Sequence, residues 1–328
     1  MSPLEGSNPS LSATQDGASP RRPSLAGMQL RYWVGMMVAA FGWGTGGLAV
    51  RAALEEGVGA WTVVALRIGI AAVAVAALLA AQRKLAKPSA MSVRVGLVMA
   101  LFNLAIPYVL FTFAYDNASA GFVGLLSALI PLATAIFANA MLPAEPLTAA
   151  KITGLAVGFV GVGALLLSGD SGLASGGRPL LSIVLSVLSV ASIGYAGVYA
   201  KKHSGEYDPT AITGIQFLVA GLLMFVTMLA IEGVPSGISG AGWAMLLYAA
   251  LVSTVLPFTI FYRLVAHLQA TTLSLIGYMV PVVALVGGVL VLSEQIQPGM
   301  VVGGILIAFG VVLTDRADRK AAAAAIPH

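Results

Sequence analysis

Long stretches of apolar residues, separated by short polar segments, run through most of this chain. A helix needs about 20 mainly apolar residues to cross a bilayer, and ten stretches reach that length. They cover about 33–53, 60–81, 92–115, 118–141, 148–168, 180–200, 209–231, 240–264, 270–293 and 298–315. The stretches are continuously apolar, whereas the strands of a membrane barrel alternate apolar and polar residues. The pattern therefore predicts an all-α, polytopic membrane protein with ten transmembrane helices.

Composition narrows the class of protein further. Hydrophobic residues make up 59% of the 328 positions and charged residues 9%, whereas a soluble domain carries about 25% charged residues. So few charges cannot cover a water-soluble globule, which argues against a soluble enzyme, a disordered protein or a nucleic-acid partner. The chain has no Cys and three His, which excludes disulfides and Cys-ligated metals. We predict no catalytic residues, no cofactor and no metal site, and hence no enzyme.

Lysine and arginine are distributed unevenly between the predicted connections. With the N-terminus placed in the cytoplasm, 14 of the 17 fall on the cytoplasmic side. Arg51 and Arg178 fall outside, and Arg67 lies within a span. This is the positive-inside bias, and an even number of spans returns the C-terminus to the cytoplasm. Residues 1–28 are predicted to be a disordered cytoplasmic tail rather than a cleaved signal peptide, and 319–328 a short C-terminal tail.

The second half of the chain repeats the first. The matched residues include Pro107 with Pro257 and Pro131 with Pro281 at an offset of 150, then Glu145 with Glu294 at an offset of 149. Each copy contains five spans, and five is odd, so the second copy must be inverted in the membrane. Inverted repeats are typical of secondary transporters, whose pathway lies between the two copies. We predict two inverted five-helix repeats, at 29–168 and 169–318.

These features resemble the EamA type of the drug/metabolite transporter superfamily. The residues that carry the resemblance are Gly42-Trp43-Gly44, Leu66-Arg67, and two runs, Pro131, Glu145, Gly154, Gly161 and Pro281, Glu294, Gly303, Gly310. It covers roughly residues 33–315, and departs from the family at Ser293-Glu294-Gln295, where Gly-Glu-Arg is common. The resemblance implies ten helices in a bacterial inner membrane and transport of small metabolites, often export. Bacterial amino-acid exporters are the nearest functional analogy.

A proline interrupts the third and the eighth span at matched positions. Proline in a helix removes a backbone hydrogen bond and frees the carbonyl four residues earlier. Pro107 would free the carbonyl of Asn103, and Pro257 that of Ser253. We predict that the side chains of Asn103 and Ser253 line a substrate cavity. The alternative is that they repair the two kinks locally.

Arg67 is the one cation predicted within a span. It lies about six residues, or roughly 9 Å, inside the outer end of the second span. An unpaired arginine near mid-membrane costs about 2.5–3.5 kcal/mol. We predict that Arg67 faces the cavity and attracts a carboxylate or phosphate. Snorkelling or a structural polar contact remains an alternative, since Gln216 occupies the matched position and is a second candidate.

Several aromatic residues lie deep within the spans and are further candidates for the cavity wall. They are Trp43, Tyr108, Tyr195, Tyr199, Tyr262 and Tyr278. Trp43 and Tyr195 are predicted to hold equivalent places in spans one and six. Ordinary packing between helices is the alternative for each. Trp33, Trp61 and Trp243 lie at span ends, as interfacial anchors do.

Other motifs have structural interpretations. The sequence Gly42 to Gly47 matches G-x-G-x-x-G, but it lies inside an apolar span, so we predict close helix packing rather than a dinucleotide site. The G-x-x-x-G pairs that begin at Gly154 and Gly299 predict close packing of spans five and ten. Glu145 and Glu294 are predicted helix caps. Asp116 is predicted to be a loop acid or a gate residue, and His267 to be solvated.

Together these features predict a secondary transporter that moves a small polar metabolite, an amino acid or similar, by alternating access and most simply outward. Two alternatives stay open: an exporter of drugs or larger amphiphiles, and a proton-coupled antiporter. The predicted partners are a small-molecule substrate and the lipid bilayer. The chain is predicted to be a monomer or a homodimer.

Overall fold

The computed structural model describes residues 30–82, 87–143, 145–169, 171–173, 177–265, 267–268 and 270–324. It describes the side chains of these residues except those at 262, 265, 270–272, 274 and 317–324. The predicted N-terminal tail at 1–28 lies outside the described residues, as do Arg83 and Lys84.

Within the described ranges, ten helices are long and apolar enough to cross a membrane, as the sequence predicted. They are α1 (Leu30–Glu55), α2 (Ala60–Ala81), α3 (Ala90–Asn117), α4 (Ala120–Met141), α5 (Ala149–Ser168), α6 (Pro179–Lys202), α7 (Pro209–Ile231), α8 (Gly240–Leu247, Tyr248–Val255 and Leu256–Val265), α9 (Ala270–Leu292) and α10 (Pro298–Ala324). No strand occurs among the described residues, which confirms the all-α prediction. The last helix extends past the predicted end of its span at 315.

Short polar residues and glycine set where helices begin and end. The Ser119 hydroxyl accepts the N–H of Phe122 at 3.1 Å and so begins α4, and Ser239 does the same for Gly242 at 2.9 Å in α8. Such caps satisfy N–H groups that have no partner within the helix. At the other end of α5, Gly169 has a φ of 69°, a left-handed conformation that ends a helix at little cost for glycine.

The two repeats are interlocked by an exchange of their first helices. α1 packs against α8 and α9 of the second repeat, and the matched α6 packs against α3 and α4 of the first. α2 packs against its own counterpart α7, and α5 against its counterpart α10. A buried apolar cluster joins α2, α3, α7 and α8 near the centre of the bundle. Neither repeat can therefore form its core alone.

Glycines let α5 and α10 approach backbone to backbone, as predicted. A methyl group added to Gly154 would lie 2.6 Å from the carbonyl oxygen of Gly310. At Gly161 the same addition would lie 2.8 Å from the carbonyl oxygen of Gly303. The two contacts are equivalent under the repeat, because Gly154 matches Gly303 and Gly161 matches Gly310. Lipid provides no hydrophobic driving force for helix association, so close packing contacts of this kind supply much of the stabilisation.

The two ends of the bundle differ. We call them the Glu294 end, with the connections at 56–59, 118–119, 169–178, 232–239 and 293–297, and the Lys201 end, with those at 82–89, 142–148, 203–208 and 266–269. At the Glu294 end, the first part of α4 packs on the second part of α9. Gly121 meets Leu285 there, and Gly124 meets Ala284. In the described chain, no comparable packing joins the same two helices at the Lys201 end.

A second matched pair shows the same difference. Gly47 of α1 lies directly against the ring of Tyr115 in α3. Its counterpart Gly197 in α6, 150 residues later, has no atom of the described residues within 4 Å of an added methyl group. Matched helices are therefore together at the Glu294 end and apart at the Lys201 end.

The α5–α10 contact predicts a stability difference between two neighbouring glycines. Replacing Gly161 with alanine would place its methyl group 2.8 Å from the Gly303 carbonyl oxygen, an overpacked contact that costs about 1–3 kcal/mol. Thermal unfolding in detergent should show this loss. The control is Gly163→Ala on the same helix, where nothing lies within 4 Å. Equal stability of the two variants would contradict the role of the glycine contact.

Candidate functional site

A π-helical turn in α3, Ala100–Ala105, lies just before Pro107. The N–H of Ile106 donates to the carbonyl of Leu101, five residues back. In this register the next carbonyl, that of Phe102, would pair with the nitrogen of Pro107, which has no hydrogen. The proline therefore leaves the Phe102 carbonyl without a backbone donor.

The second repeat has the same arrangement in α8, where the π-helical turn is Tyr248–Val255. The N–H of Leu256 donates to the carbonyl of Leu251. Pro257 then leaves the carbonyl of Val252 without a backbone donor. π-helical turns are rare in proteins, and those that do occur often lie at functional sites.

The sequence assigned the freed carbonyls to Asn103 and Ser253, four residues before each proline, whereas the five-residue spacing places the carbonyls of Phe102 and Val252 opposite the proline nitrogens. The side chains of Asn103 and Ser253 remain matched and lie on the π-helical turns.

The two freed carbonyls have different neighbours. The Ser192 hydroxyl of α6 donates to the Phe102 carbonyl at 2.7 Å. At the matched position α1 has Gly42, which brings its backbone close to the Val252 carbonyl oxygen and the ring of Pro257. The prediction of close packing for the glycine-rich segment of α1 is thus confirmed at Gly42.

Arg67 of α2 meets residues of α3 and α8. Its Nε donates to the Thr254 hydroxyl at 3.0 Å, and its guanidinium carbon lies 4.4 Å from the centre of the Tyr108 ring. A methyl group on Gly46 would lie 3.2 Å from Arg67 Nη2 and equally far from Ser253 Oγ. The guanidinium is therefore held by the Thr254 hydroxyl and the Tyr108 ring, close to Gly46.

The matched residue Gln216 likewise contacts the π-helical turn of the opposite repeat. Asn103 Nδ2 donates to Gln216 Oε1 at 3.4 Å, and Gln216 is fully buried. In one half Arg67 bonds to Thr254, which follows Ser253, and in the other Asn103 bonds to Gln216. We call Arg67, Asn103, Tyr108, Gln216, Ser253 and Thr254 the central polar cluster.

The aromatic candidates fall into separate groups. Trp43 packs against Phe258 and Phe261 of α8, with ring centres 5.6 Å and 5.4 Å away. Tyr195 packs against Phe102 of α3 and Phe137 of α4, at 5.0 Å and 5.7 Å. The predicted equivalence of Trp43 and Tyr195 is not reproduced, because the repeat offset of 150 pairs Tyr195 with Thr45.

The other aromatic candidates lie elsewhere. Tyr199 is buried towards the Lys201 end, where its ring centre lies 4.9 Å from that of His203. Tyr278 packs against a buried cluster that also includes Phe122 of α4. The side chain of Tyr262 lies outside the described part of the chain. Of the predicted aromatics, Tyr108 alone is shown here in contact with Arg67.

Two polar contacts were missed from the sequence. Thr254, the partner of Arg67, follows Ser253 directly and could have been included as part of a Ser-Thr pair three residues before Pro257. The Thr45 hydroxyl lies 2.9 Å from the hydroxyl of Tyr248 at the start of the π-helical turn. Thr254 matches Leu104, so the repeat gave it no polar counterpart that would have drawn notice.

Glu294 caps α4 rather than the helix that follows it. Its carboxylate accepts the N–H of Ala120 at 2.6 Å and the N–H of Gly121 at 3.0 Å. A negative charge at a helix N-terminus is also favoured by the helix dipole. The predicted capping role is confirmed for Glu294. The two bonds tie the loop after α9 to α4 across the Glu294 end.

The matched acid Glu145 makes a different contact. It pairs with Lys201 Nζ at 2.6 Å, so the capping prediction for Glu145 is not reproduced among the described residues. The matched cation Arg51 donates to the carbonyl of Tyr115 at 2.7 Å and to Glu55 at 2.8 Å. Each end thus has one acid and one cation at matched positions, but these charges contact different partners at the Glu294 end, where the helices pack together, and at the Lys201 end, where they are apart.

Asp116 and His267 lie at the surface of opposite ends. Both are exposed. The Asp116 backbone carbonyl accepts a long bond of 3.5 Å from Arg51, and His267 Nδ1 lies 2.8 Å from the carbonyl of Arg263. No metal-binding group of His, Cys, Asp or Glu occurs among the described residues.

Known proteins share this architecture and sequence. A model of the EamA-like transporter family matches residues 31–167 and again 180–315. The chain belongs to the EamA-like transporter family. The double match confirms the two five-helix repeats of this membrane transporter, and with the ten apolar helices it shows a multi-pass membrane protein.

This EamA-like transporter is similar to several bacterial proteins. It is 26% identical to the uncharacterised transporter YoaV of Bacillus subtilis (strain 168) over 76% of this chain and 84% of that protein. It is 24% identical to the protein PecM of Dickeya dadantii (strain 3937) over 66% of this chain and 72% of that protein. A solved crystal structure covers 88% of this chain with a TM-score of 0.62 at 18% identity, which supports the fold alone.

Burial raises the pKa of Glu294, and the bonds from Gly121 and Ala120 oppose that rise. The nearby charged groups are Arg51, which lowers the pKa, and Glu55, which raises it. Because its pKa is raised, the Glu294 carboxyl binds a proton more tightly when the Glu294 end is packed together than when that end is open and the carboxyl is hydrated. By linkage, lowering the pH through the raised pKa should favour the closed Glu294 end, and raising the pH should favour its opening.

Hydrogen exchange of residues 118–127, followed by mass spectrometry at several pH values, measures this effect. Glu294→Gln is the control, because its amide does not titrate, and each pH is compared between the two proteins to cancel intrinsic exchange. Protection that varies with pH equally in both proteins would show that Glu294 is not the group responsible.

Proposed function

We propose that this protein is a secondary transporter that moves a small polar metabolite, an amino acid or similar, across the bacterial inner membrane by alternating access. The observation that carries the proposal is the difference between the two ends. Inverted repeats have equivalent helices at opposite ends, yet α4 and α9 pack together only at the Glu294 end of the described bundle. A transporter that alternates would exchange these two arrangements.

The matched charges suggest how the exchange is made. In this state Glu294 binds the first N–H groups of α4, while Glu145 binds Lys201. In the opposite state Glu145 would bind the first turn of α9, and Glu294 would be released to pair with Arg51. Each acid then closes one end in turn, and the bonds lost at one end are replaced by equivalent bonds at the other.

The central polar cluster supports small polar cargo rather than a large amphiphile. It places a cation, two amide groups and three hydroxyl groups between the four central helices α2, α3, α7 and α8. The Lys201 end, where the matched helices are apart, carries most of the lysine and arginine residues. By the positive-inside rule, this end lies in the cytoplasm. A site that loads from the cytoplasm suits export.

A proton-coupled antiporter is the second candidate, and the partly buried Glu294 carboxyl favours it. Its pKa is raised by burial at the closed end, so it would take up and release a proton as that end closes and opens. The earlier alternative, Asp116, has an exposed side chain and is less suited to this coupling.

Counterflow of labelled amino acids in proteoliposomes tests the transport function. Vesicles loaded with one unlabelled amino acid should accumulate the same labelled amino acid without a proton gradient if the protein is a facilitative carrier. Accumulation that requires a gradient, and that loses the requirement in Glu294→Gln, would favour the antiporter. A lack of counterflow for every amino acid would contradict amino-acid transport.

A disulfide across the closed end should stop transport. The chain contains no cysteine, so Gly124→Cys with Ala284→Cys introduces the only two thiols, at positions that are in contact at the Glu294 end. We expect oxidation to cross-link them and abolish counterflow, and reduction to restore it, because the Glu294 end must open in each cycle.

The matched control places cysteines at Thr134 and Ser274, the repeat counterparts at the Lys201 end. This pair should cross-link only when the transporter is in the opposite state, in which α4 and α9 pack together at the Lys201 end. Full transport by the oxidised, cross-linked Gly124→Cys and Ala284→Cys protein would refute alternating access through the Glu294 end.

A further inference from the structure

The charge of the cargo can be inferred from Arg67. On α2 its neighbours on either side of the same helix face, Val63, Val64 and Ala71, are at most 1% exposed. The lipid-facing side of the helix is marked instead by Val73, which is 72% exposed. Arg67 itself is only partly buried. Since its helix face points into the bundle, the open space beside its guanidinium lies inside the protein and not in the lipid.

The guanidinium is positioned but not neutralised. Nε is bound to Thr254 and the plane lies near the Tyr108 ring, which fixes the direction of the two remaining amino groups. Within the described part of the chain, no carboxylate forms an ion pair with Arg67. Arginine presents its amino groups as a fork that matches a carboxylate or phosphate with two parallel bonds.

The neighbouring hydroxyl groups cannot replace the guanidinium as donors to an anion. Ser253 and Thr254 both donate to the carbonyl of Ala249, at 2.9 Å and 2.8 Å. A hydroxyl has one hydrogen to give, so these two groups are left as acceptors. They can hold Arg67 in place, but they would oppose an anion without it.

The repeat shows that this position does not need a charge for structural reasons. Gln216, the counterpart of Arg67, makes its contact with Asn103 as a neutral side chain and is fully buried. A polar contact between matched helices is thus achieved without a cation. The positive charge at Arg67 is additional to that contact, and it is expensive in a membrane unless an anion meets it.

From these contacts we infer that the transported molecule bears a net negative charge, carried by a carboxylate or phosphate group that binds the two free amino groups of Arg67. The described residues of the central polar cluster include no acidic side chain to hold a cargo ammonium group. An anion is therefore preferred to a zwitterion of the same size. The inference rests on the proposed transport function and specifies its cargo.

Binding to the detergent-solubilised protein tests the inference, with isothermal titration calorimetry and four small probes. Lactate, lactamide and alanine share a three-carbon chain and differ in charge, and methyl phosphate represents the other anionic group. We expect an anion to bind more tightly than lactamide and alanine. Lactate ahead of methyl phosphate identifies a carboxylate cargo, and the reverse order a phosphate ester.

Arg67→Gln should weaken binding of the preferred anion by about 10- to 100-fold, the loss expected for a charged hydrogen-bonded contact. Binding of lactamide should change little. Glutamine is accommodated at the matched position, so this variant is expected to fold, and its thermal unfolding checks that. Arg67→Lys, which keeps the charge but loses the fork, should recover part of the affinity. Lys202→Gln is the control, because it removes an exposed cation that lies outside the central polar cluster, and it should retain the preference for the anion.

Three results overturn the inference: tighter binding of alanine than of lactate and methyl phosphate, no binding of either anion, or an anion affinity unchanged in Arg67→Gln. Counterflow separates this failure from that of the proposed function. An amino acid that is exchanged equally well by the wild type and by Arg67→Gln refutes the anion inference and leaves transport established. If neither the amino acids nor lactate and methyl phosphate show counterflow, the transport function itself is contradicted.

Discussion

The arrangement of the central helices depends on one constraint, the lack of backbone hydrogen-bond partners in lipid. A transmembrane helix must satisfy its N–H and C=O groups internally or from a neighbouring helix. Pro107 and Pro257 break this pattern at matched places, and each helix responds with a π-helical turn. The carbonyl freed at Phe102 is bound by Ser192 of the exchanged helix α6. The kinks therefore require the interlocked arrangement of the two repeats.

The same turns place the polar side chains of the site. In α8 the turn brings the hydroxyls of Ser253 and Thr254 to one carbonyl, that of Ala249, and leaves the Thr254 oxygen to accept from Arg67. The glycine-rich segment of α1 lets Gly46 come close to the guanidinium. A bulky residue on α1 would fill the space that the guanidinium now borders, so packing and site depend on each other here.

Matched positions differ where the two halves have different roles. At equivalent kinks Gly42 packs closely against the helix, whereas Ser192 donates a hydrogen bond to the freed carbonyl. Glu294 is bound to the start of α4, whereas Glu145 is bound to Lys201. These last two residues are chemically identical, so their different contacts come from conformation and not from composition. The structure therefore captures one state of a bundle whose sequence is nearly symmetric.

Several features of the protein follow from the sequence alone. The ten spans, the inverted repeat and the pairing of α5 with α10 depend on the length of apolar runs and on residue spacing, which are local or periodic properties. The matched polar positions, Arg67 with Gln216 and Asn103 with Ser253, were also identified correctly as pairs.

The partners of those residues were decided only by the tertiary structure. The pairing of Arg67 with Thr254, and the capping of α4 by Glu294 from a loop 174 residues away, both join the first repeat to the second. The register of the freed carbonyls depended on a π-helical turn that neighbouring helices stabilise. Likewise, the spacing of matched residues is the same in both repeats, so it cannot say which end is closed. Which end is closed depends on the balance of contacts between whole helices. The nearly symmetric sequence permits either end to be closed, and the folded chain adopts one of these two arrangements.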